Sequence, residues 1–275
     1  MIRRIATVAL AAGLTLSLSG CSGESGEKAD QAGGEKPELS AAQVLEKAAE
    51  KAGAVDTFQA DLALSATGTP DGDVKQNGTM KYRLKPDRAF AMSFDDMSVG
   101  GRKLTGGEQR LIGQNMYVKL PAAADGGGVQ TAKPWVRMSL DDIGKQPGLG
   151  LEKLLQESRE MDPVQNTLLL TASKDVKKAG EETVDGVETT RYTGTYPMED
   201  AIAKLPAELQ DAHRKSTGEA GVKEMRFDLW VDGDQLPRQL VMKADRNGGS
   251  MELTIKYRDY GEPVEITEPP ANEVM

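Results

Sequence analysis

The apolar positions between Ser40 and Gly53 recur every three or four residues, which predicts an amphipathic helix with one buried stripe. Ser40 and Gln43 form a capping-box pattern at the start of this segment, and Gly53 is a stop signal at its end. The stripe consists of Val44, Leu45, Ala48 and Ala52. The first ordered element is therefore expected to be a helix with one face against the rest of the protein.

After this helix the apolar period shortens to two residues, which is typical of half-buried strands. The first such segment is FQADLALSA, at residues 58–66. Further segments of this character are GTMKYRLKP, RAFAMSFDD, QNMYVKLP, KPWVRMSL, NTLLLTAS, VETTRYTGTY, EMRFDLWVD, RQLVMKAD and SMELTIKYRDY. About ten strands with short turns between them predict one large antiparallel sheet, because parallel strands need long crossover connections.

Two helical segments interrupt the alternating pattern. Residues 150–161 carry leucines at helical spacing, and residues 197–216 predict two short helices separated at Pro206. A long antiparallel sheet with a few helices clustered on one face is an α+β fold. No internal repeat or second linker is evident in the sequence, so residues 39–275 are expected to form a single domain.

The N-terminus has the pattern of a targeting segment. Arg3 and Arg4 precede an apolar run at residues 5–18, which is shorter than the roughly 20 residues that a spanning helix needs. The run ends in Leu-Ser-Gly-Cys at residues 18–21, which resembles the lipobox of bacterial lipoproteins. The resemblance implies a diacylglyceryl group on the Cys21 thiol and cleavage before that residue. The alternative is an ordinary signal peptide followed by an incidental cysteine.

A lipidated Cys21 would anchor the protein to the extracytoplasmic face of the cell membrane, since two acyl chains give stable attachment. Residues 1–20 would then be the signal peptide, and residues 21–38 the lipidated cysteine with a flexible tether. The tether is rich in Gly, Ser, Glu and Lys and would span roughly 20–25 Å. The chain carries a net charge of −9, so attachment would rest on the acyl chains and not on attraction to anionic lipid heads.

The amino-acid composition limits the kinds of binding and catalytic site that the chain could form. One cysteine and one histidine permit no internal disulfide and make a zinc site implausible, and no basic run suggests a nucleic-acid partner. Counted from Asp232, the VDGDQLP segment lacks the Gly and Glu of a calcium loop, so a tight turn using Gly233 explains it better. His213 lies beside Arg214 and is expected to be solvated. We therefore expect no cofactor, no metal and no enzymatic activity.

The C-terminal third carries a family resemblance. The segments LWVDGDQLPRQLVM and ELTIKYRDYGEPVEITEPP, together with the helix that begins at Ser40 and the strand TFQADLALSATG, resemble actinobacterial lipoproteins of the LppX/LprG type. These proteins share the LolA/LolB-like lipoprotein-carrier fold. The resemblance implies a half-barrel sheet curled around an apolar cavity, with helices on the concave side. Some members of this family carry lipids or lipoglycans.

The apolar residues expected to face such a cavity come from several predicted strands. They are Leu62, Leu64, Met80, Tyr82, Phe90, Met92, Met116, Val118, Val136, Met138, Met225, Phe227 and Leu229. The simpler alternative for each is that it packs the core beneath the helices. Two functions stay open: a monomeric lipid-binding carrier with a lipid or lipoglycan ligand, and a regulatory or interaction lipoprotein that docks a protein partner and carries no cargo.

Overall fold

The computed structural model describes residues 39–123, 132–139 and 163–275. The predicted signal peptide, Cys21, the tether and the predicted helix at residues 150–161 lie outside the described residues. Leu39–Met275 form one compact unit by themselves.

The first helix is the one that the sequence predicts. Helix α1 spans Ala41–Gly53 and buries the four residues of the predicted stripe. The Ser40 hydroxyl accepts the Gln43 N–H at 3.3 Å, and the Gln43 side chain accepts the Ser40 N–H at 2.9 Å, so both halves of the capping box are present. The other helices are α2 (Pro163–Leu170), α3 (Met198–Ile202), α4 (Ala207–Ala220) and a short 3-10 helix (Ala271–Glu273).

The second helical region confirms one prediction, and α2 corrects another. Pro206 separates α3 from α4, as its position in the sequence indicates. The segment NTLLLTAS, predicted to be a strand, instead belongs largely to α2. A short apolar run fits either a buried strand or one face of a helix, and periodicity alone does not separate the two.

The described strands form one antiparallel sheet. They are β1 (Thr57–Ala66), β2 (Val74–Arg83), β3 (Ala89–Val99), β4 (Arg102–Thr105), β5 (Gly107–Ile112), β6 (Asn115–Lys119), β7 (Ala122–Ala123), β8 (Trp135–Ser139), β9 (Lys177–Val184), β10 (Val187–Pro197), β11 (Glu224–Asp232), β12 (Pro237–Arg246) and β13 (Gly249–Arg258). Their order is β8-β6-β5-β3-β2-β1-β13-β12-β11-β10-β9, with β4 paired to β3 and β7. The sheet is open and curved, which confirms the α+β fold.

One face of this sheet, the inner face, carries the main hydrophobic core. The strand register aligns Phe58, Tyr82, Phe90 and Leu111 across β1, β2, β3 and β5. The Phe58 and Tyr82 rings stack with centroids 4.9 Å apart. Three buried residues of α1 (Val44, Leu45 and Ala48) and the buried side chains of α3 belong to the same core cluster as these residues. The helices therefore cover part of the inner face.

The C-terminal segment covers part of the opposite, outer face. Val264 and Ile266 pack on Ala89 of β3 in a second, smaller apolar cluster. Further along, Val274 forms a parallel bridge with Trp135, and the Met275 N–H donates to the Trp135 carbonyl at 2.8 Å. The segment thus occupies the outer edge of β8, which would otherwise present unpaired backbone groups.

Candidate functional site

The strand register places the predicted cavity residues together on the inner face. Met80 lies opposite Met92 on β2 and β3, and in the neighbouring row Met116 lies opposite Met138 on β6 and β8. On the other side of β1, Leu62 lies opposite Ile255 of β13. Tracing the pairs through every neighbouring strand puts all thirteen candidates on this face. Whether they surround a cavity stays a prediction.

Burial differs between the candidates. Ten of the thirteen are at most 9 % exposed and belong to the main core. The other three, Leu64, Val136 and Met138, are half-buried. The ten buried candidates therefore pack in the core beneath the helices. The three half-buried candidates mark the parts of the inner face that the helices cover less completely.

A half-buried row crosses the inner face at Leu64. Leu64 pairs with Leu253 on one side and with Gln76 on the other, and Gln76 pairs with Met97 of β3. These four residues are neither fully buried nor fully exposed, and together they are called the half-buried row. In contrast, Leu62, two residues earlier on β1, is 7 % exposed. Ala66, two residues later on the same face, is again buried at 6 % exposure, so the half-buried row is a strip of incomplete burial across the inner face.

Sequence reasoning missed several members of this surface. Met97, Leu253 and Met251 share the inner face, and the alternation in SMELTIKY could have identified the last two. Eight of the twelve methionines of the chain lie on this face by register. Flexible thioether side chains adapt to irregular apolar partners, so this face can change its shape more readily than one built from branched residues.

Tyr196 and His213 are among the buried polar residues that lie outside the predicted candidates. Tyr196 is fully buried beside Phe227, and burial raises its pKa well above the ordinary value of a phenol. His213 is 7 % exposed, which corrects the expectation of a solvated side chain, because α4 turns this position inward and leaves Arg214 exposed. Desolvation lowers the pKa of His213 below its usual value of 6.5.

The VDGDQLP turn is organised by the carboxylate of Asp232. This carboxylate accepts the backbone N–H groups of Asp234 and Leu236 at 2.9 and 3.0 Å, and it accepts Nε of Arg238 at 2.6 Å. The left-handed residue of the turn is Gln235, with φ 66°, rather than Gly233 as the sequence suggested. The hydrogen-bonding capacity of the Asp232 carboxylate is therefore used by groups of the protein itself.

A cleft lined partly by charged residues has a volume of about 250 Å³. Its lining includes Lys256, which pairs with Asp185 at 3.0 Å, and Arg258, which pairs with Asp61 at 3.2 Å. The cations at this cleft are already neutralised within the chain. Within the described residues, no group of three or more His, Cys, Asp or Glu side chains could hold a metal ion.

The helices of the described residues are all too short or too polar to cross a membrane. The predicted lipidation site, Cys21, lies among the residues that the structure does not describe.

Comparison with known proteins finds relatives in actinobacteria, although no family model matches the chain. An uncharacterized 31.2 kDa protein of Streptomyces griseus is 31 % identical over 210 residues, which are 74 % of this chain and 68 % of that protein. A Streptomyces coelicolor protein named as a candidate lipoprotein is 26 % identical over 249 residues, which are 88 % of this chain and 68 % of that protein.

Mycobacterial LppX matches over a shorter stretch of sequence. LppX of Mycobacterium tuberculosis, named as a candidate transporter of phthiocerol dimycocerosate, is 29 % identical over 119 residues, 43 % of this chain and 45 % of LppX. The crystal structure of LppX matches with a TM-score of 0.46 at 18 % identity and covers 82 % of this chain and 98 % of its own. LprF from Mycobacterium bovis matches with a TM-score of 0.48 at 15 % identity, over 83 % and 96 % of the two chains.

Proposed function

The chain belongs to the family of actinobacterial lipoproteins of the LppX/LprG type, and we propose that it binds a lipid or another amphiphile in an apolar cavity on the inner face of its sheet. It would hold this ligand while anchored to the cell membrane through lipidated Cys21, and it could carry the ligand across the envelope. The name given to LppX, a candidate lipid transporter, is consistent with this function.

The observation that carries the proposal is the incomplete burial of one apolar row on the inner face. The strands place an apolar surface on the face that the helices cover, and the half-buried row crosses this surface. A methionine-rich surface of this kind can accept an apolar chain without a fixed shape. An acyl chain lying along Leu64, Met97 and Leu253 would complete their burial.

The driving force would be the removal of acyl methylenes from water. Each buried methylene contributes about 0.8 kcal/mol, so ten methylenes give about 8 kcal/mol before the entropic cost of association. Micromolar affinity corresponds to about 8 kcal/mol net, so more than ten methylenes have to be enclosed in order to offset an association cost of at least about 4 kcal/mol. Specificity would then come from polar groups near the rim of the inner face.

The experiment uses a soluble version of the chain that begins at Ser22 and lacks only the anchor. It retains the compact unit Leu39–Met275, so we expect it to fold. The protein is purified without detergent from an actinobacterial host, and its organic extract is analysed by mass spectrometry. We expect a bound lipid at a substantial fraction of the protein concentration.

Two results together would contradict a lipid-binding function. These are repeated recovery of folded protein without extractable lipid and no uptake of fluorescent diacylglycerol by that protein. The alternative function, a regulatory or interaction lipoprotein without cargo, predicts both. A host-derived lipid that remains bound through purification supports the carrier.

A further inference from the structure

Arg246 differs from the other cations of its sheet region. Strands β11, β12 and β13 carry six Lys or Arg residues. Five of them form ion pairs with carboxylates: Arg226 with Asp245, Arg238 with Asp232, Lys243 with Glu252, Lys256 with Asp185, and Arg258 with Asp61 and Asp259. Arg246 has no ion-pair partner among the described residues.

The guanidinium of Arg246 is also partly removed from water. The residue is half-buried, and its Nε is buried without a hydrogen-bond partner among the described residues. The cost of leaving a buried donor unpaired is greater when the group is charged. An acceptor that the chain itself does not supply would remove this cost.

The register places Arg246 at the rim of the inner face. Met242, Ala244 and Arg246 alternate along β12, so the three side chains share one side of the sheet. Ala244 pairs with Met251 and Met242 pairs with Leu253 of the half-buried row, whereas Arg246 pairs with Gly249 at the end of the hairpin. Arg246 therefore lies about 13 Å beyond the half-buried row along the strand.

A cation at this distance from an apolar row suits an amphiphile with an anionic head. Guanidinium binds phosphate or carboxylate in a bidentate manner, with stronger hydrogen bonds than those between neutral groups. The nearby Asn247 N–H donates to the Ala220 carbonyl at 3.1 Å, so the end of α4 fixes the hairpin that carries Arg246. This contact holds the arginine in a defined position at the rim.

We propose that Arg246 binds the phosphate or carboxylate of an anionic amphiphile whose acyl chain lies along the half-buried row. This inference rests on the proposed function and adds the charge class of the ligand to it. The site selects an anionic head over a neutral one with the same acyl chains. The phosphate is recognised as part of a lipid, because the same ligand contacts both the half-buried row and Arg246.

The test compares two fluorescent lipids that differ only in the head: phosphatidic acid and diacylglycerol with identical acyl chains. The soluble chain beginning at Ser22 is titrated with each. We expect about tenfold tighter binding of phosphatidic acid, which corresponds to one charge-assisted hydrogen-bonded contact. R246Q should remove this preference and leave diacylglycerol binding within about twofold, while R246K should keep part of it.

Arg226 provides the matched control. It lies on the neighbouring strand, faces the outer side and pairs with Asp245 at 3.2 Å. R226Q removes the same charge from the same region, so it should keep the preference for phosphatidic acid. Loss of the preference in both variants would mean a general electrostatic effect and would overturn the assignment. All variants are first checked for an unchanged melting temperature, and R246K serves in place of R246Q if the latter does not fold.

The remaining outcomes are also decisive. Equal binding of the two lipids by the unchanged protein overturns the role of Arg246 and leaves the proposed function standing. Binding of neither lipid contradicts both. Inorganic phosphate at millimolar concentration provides the last arm: if it binds at Arg246 with the same affinity as phosphatidic acid, the site is an anion site and not a lipid headgroup site.

Discussion

Replacement of Leu64 by Asp tests the inner face directly. Leu64 is half-buried between Leu253 and Gln76, so the carboxylate of Leu64→Asp would lie in the middle of the half-buried row. Full burial of a leucine contributes about 1.5–3 kcal/mol, and a half-buried one accordingly about 1 kcal/mol. The unliganded protein should therefore lose only about 1 kcal/mol of its free energy of unfolding.

The effect on binding should be larger than the effect on stability. A bound acyl chain would lose its contact with two or three methylene-sized groups, about 2 kcal/mol at 0.8 kcal/mol each. It would also have to desolvate the new carboxylate, which adds to the loss. We expect at least a thirtyfold weaker affinity for fluorescent diacylglycerol, since about 2 kcal/mol corresponds to this ratio.

The adjacent residue supplies the control. Ala63 lies on the same strand, and its side chain points to the outer face and is exposed. Ala63→Asp adds the same charge at nearly the same position along the chain, and it should bind diacylglycerol like the unchanged protein. The reasoning is refuted if Leu64→Asp binds normally while folded, or if Ala63→Asp loses as much affinity.

Three further predictions concern other parts of the chain. Cys21→Ser should leave the membrane fraction or accumulate as uncleaved precursor, and unchanged processing on an immunoblot would contradict the lipobox. Burial lowers the pKa of His213 below its unfolded value of about 6.5, so the folded state binds fewer protons and stability should fall as pH decreases below 6.5. The urea unfolding midpoint of His213→Gln should lack this part of the pH dependence. Asp232→Ala leaves Arg238 without its partner and should lower the free energy of unfolding by about 3 kcal/mol, whereas Asp234→Ala, which is exposed, should change it by less than about 0.5 kcal/mol.

Local patterns in the sequence identified the elements whose periodicity is strong. The helix capped by Ser40 and the alternating strand after Phe58 both lie where their patterns place them. The alternation also puts the thirteen candidates on one face, because a strand has only two faces and its apolar residues share one. The general architecture follows from these two periodicities.

The structure differs from the sequence-based predictions where the pattern of apolar residues is weak or where the feature depends on tertiary contacts. Strand β9 has the sequence KKAGEETV and is almost wholly exposed, so it carries no apolar alternation that could identify it as an edge strand. The burial of His213 depends on how α4 turns against its neighbours, which the adjacent charged residues do not reveal. The isolation of Arg246 depends on which carboxylates the register brings near each cation, and that is a tertiary property.

The arrangement of burial and charge along β12 determines how an amphiphile would lie on the inner face. Leu240, Met242 and Ala244 are all buried, Met242 lies opposite Leu253, and the half-buried Arg246 follows at the hairpin. An apolar chain is stabilised towards Leu240, and an anion is stabilised at Arg246, so only one of the two orientations along the strand satisfies both. In that orientation the polar head lies at the hairpin, where it can leave first. The inner face would therefore take up and release a lipid from the same end.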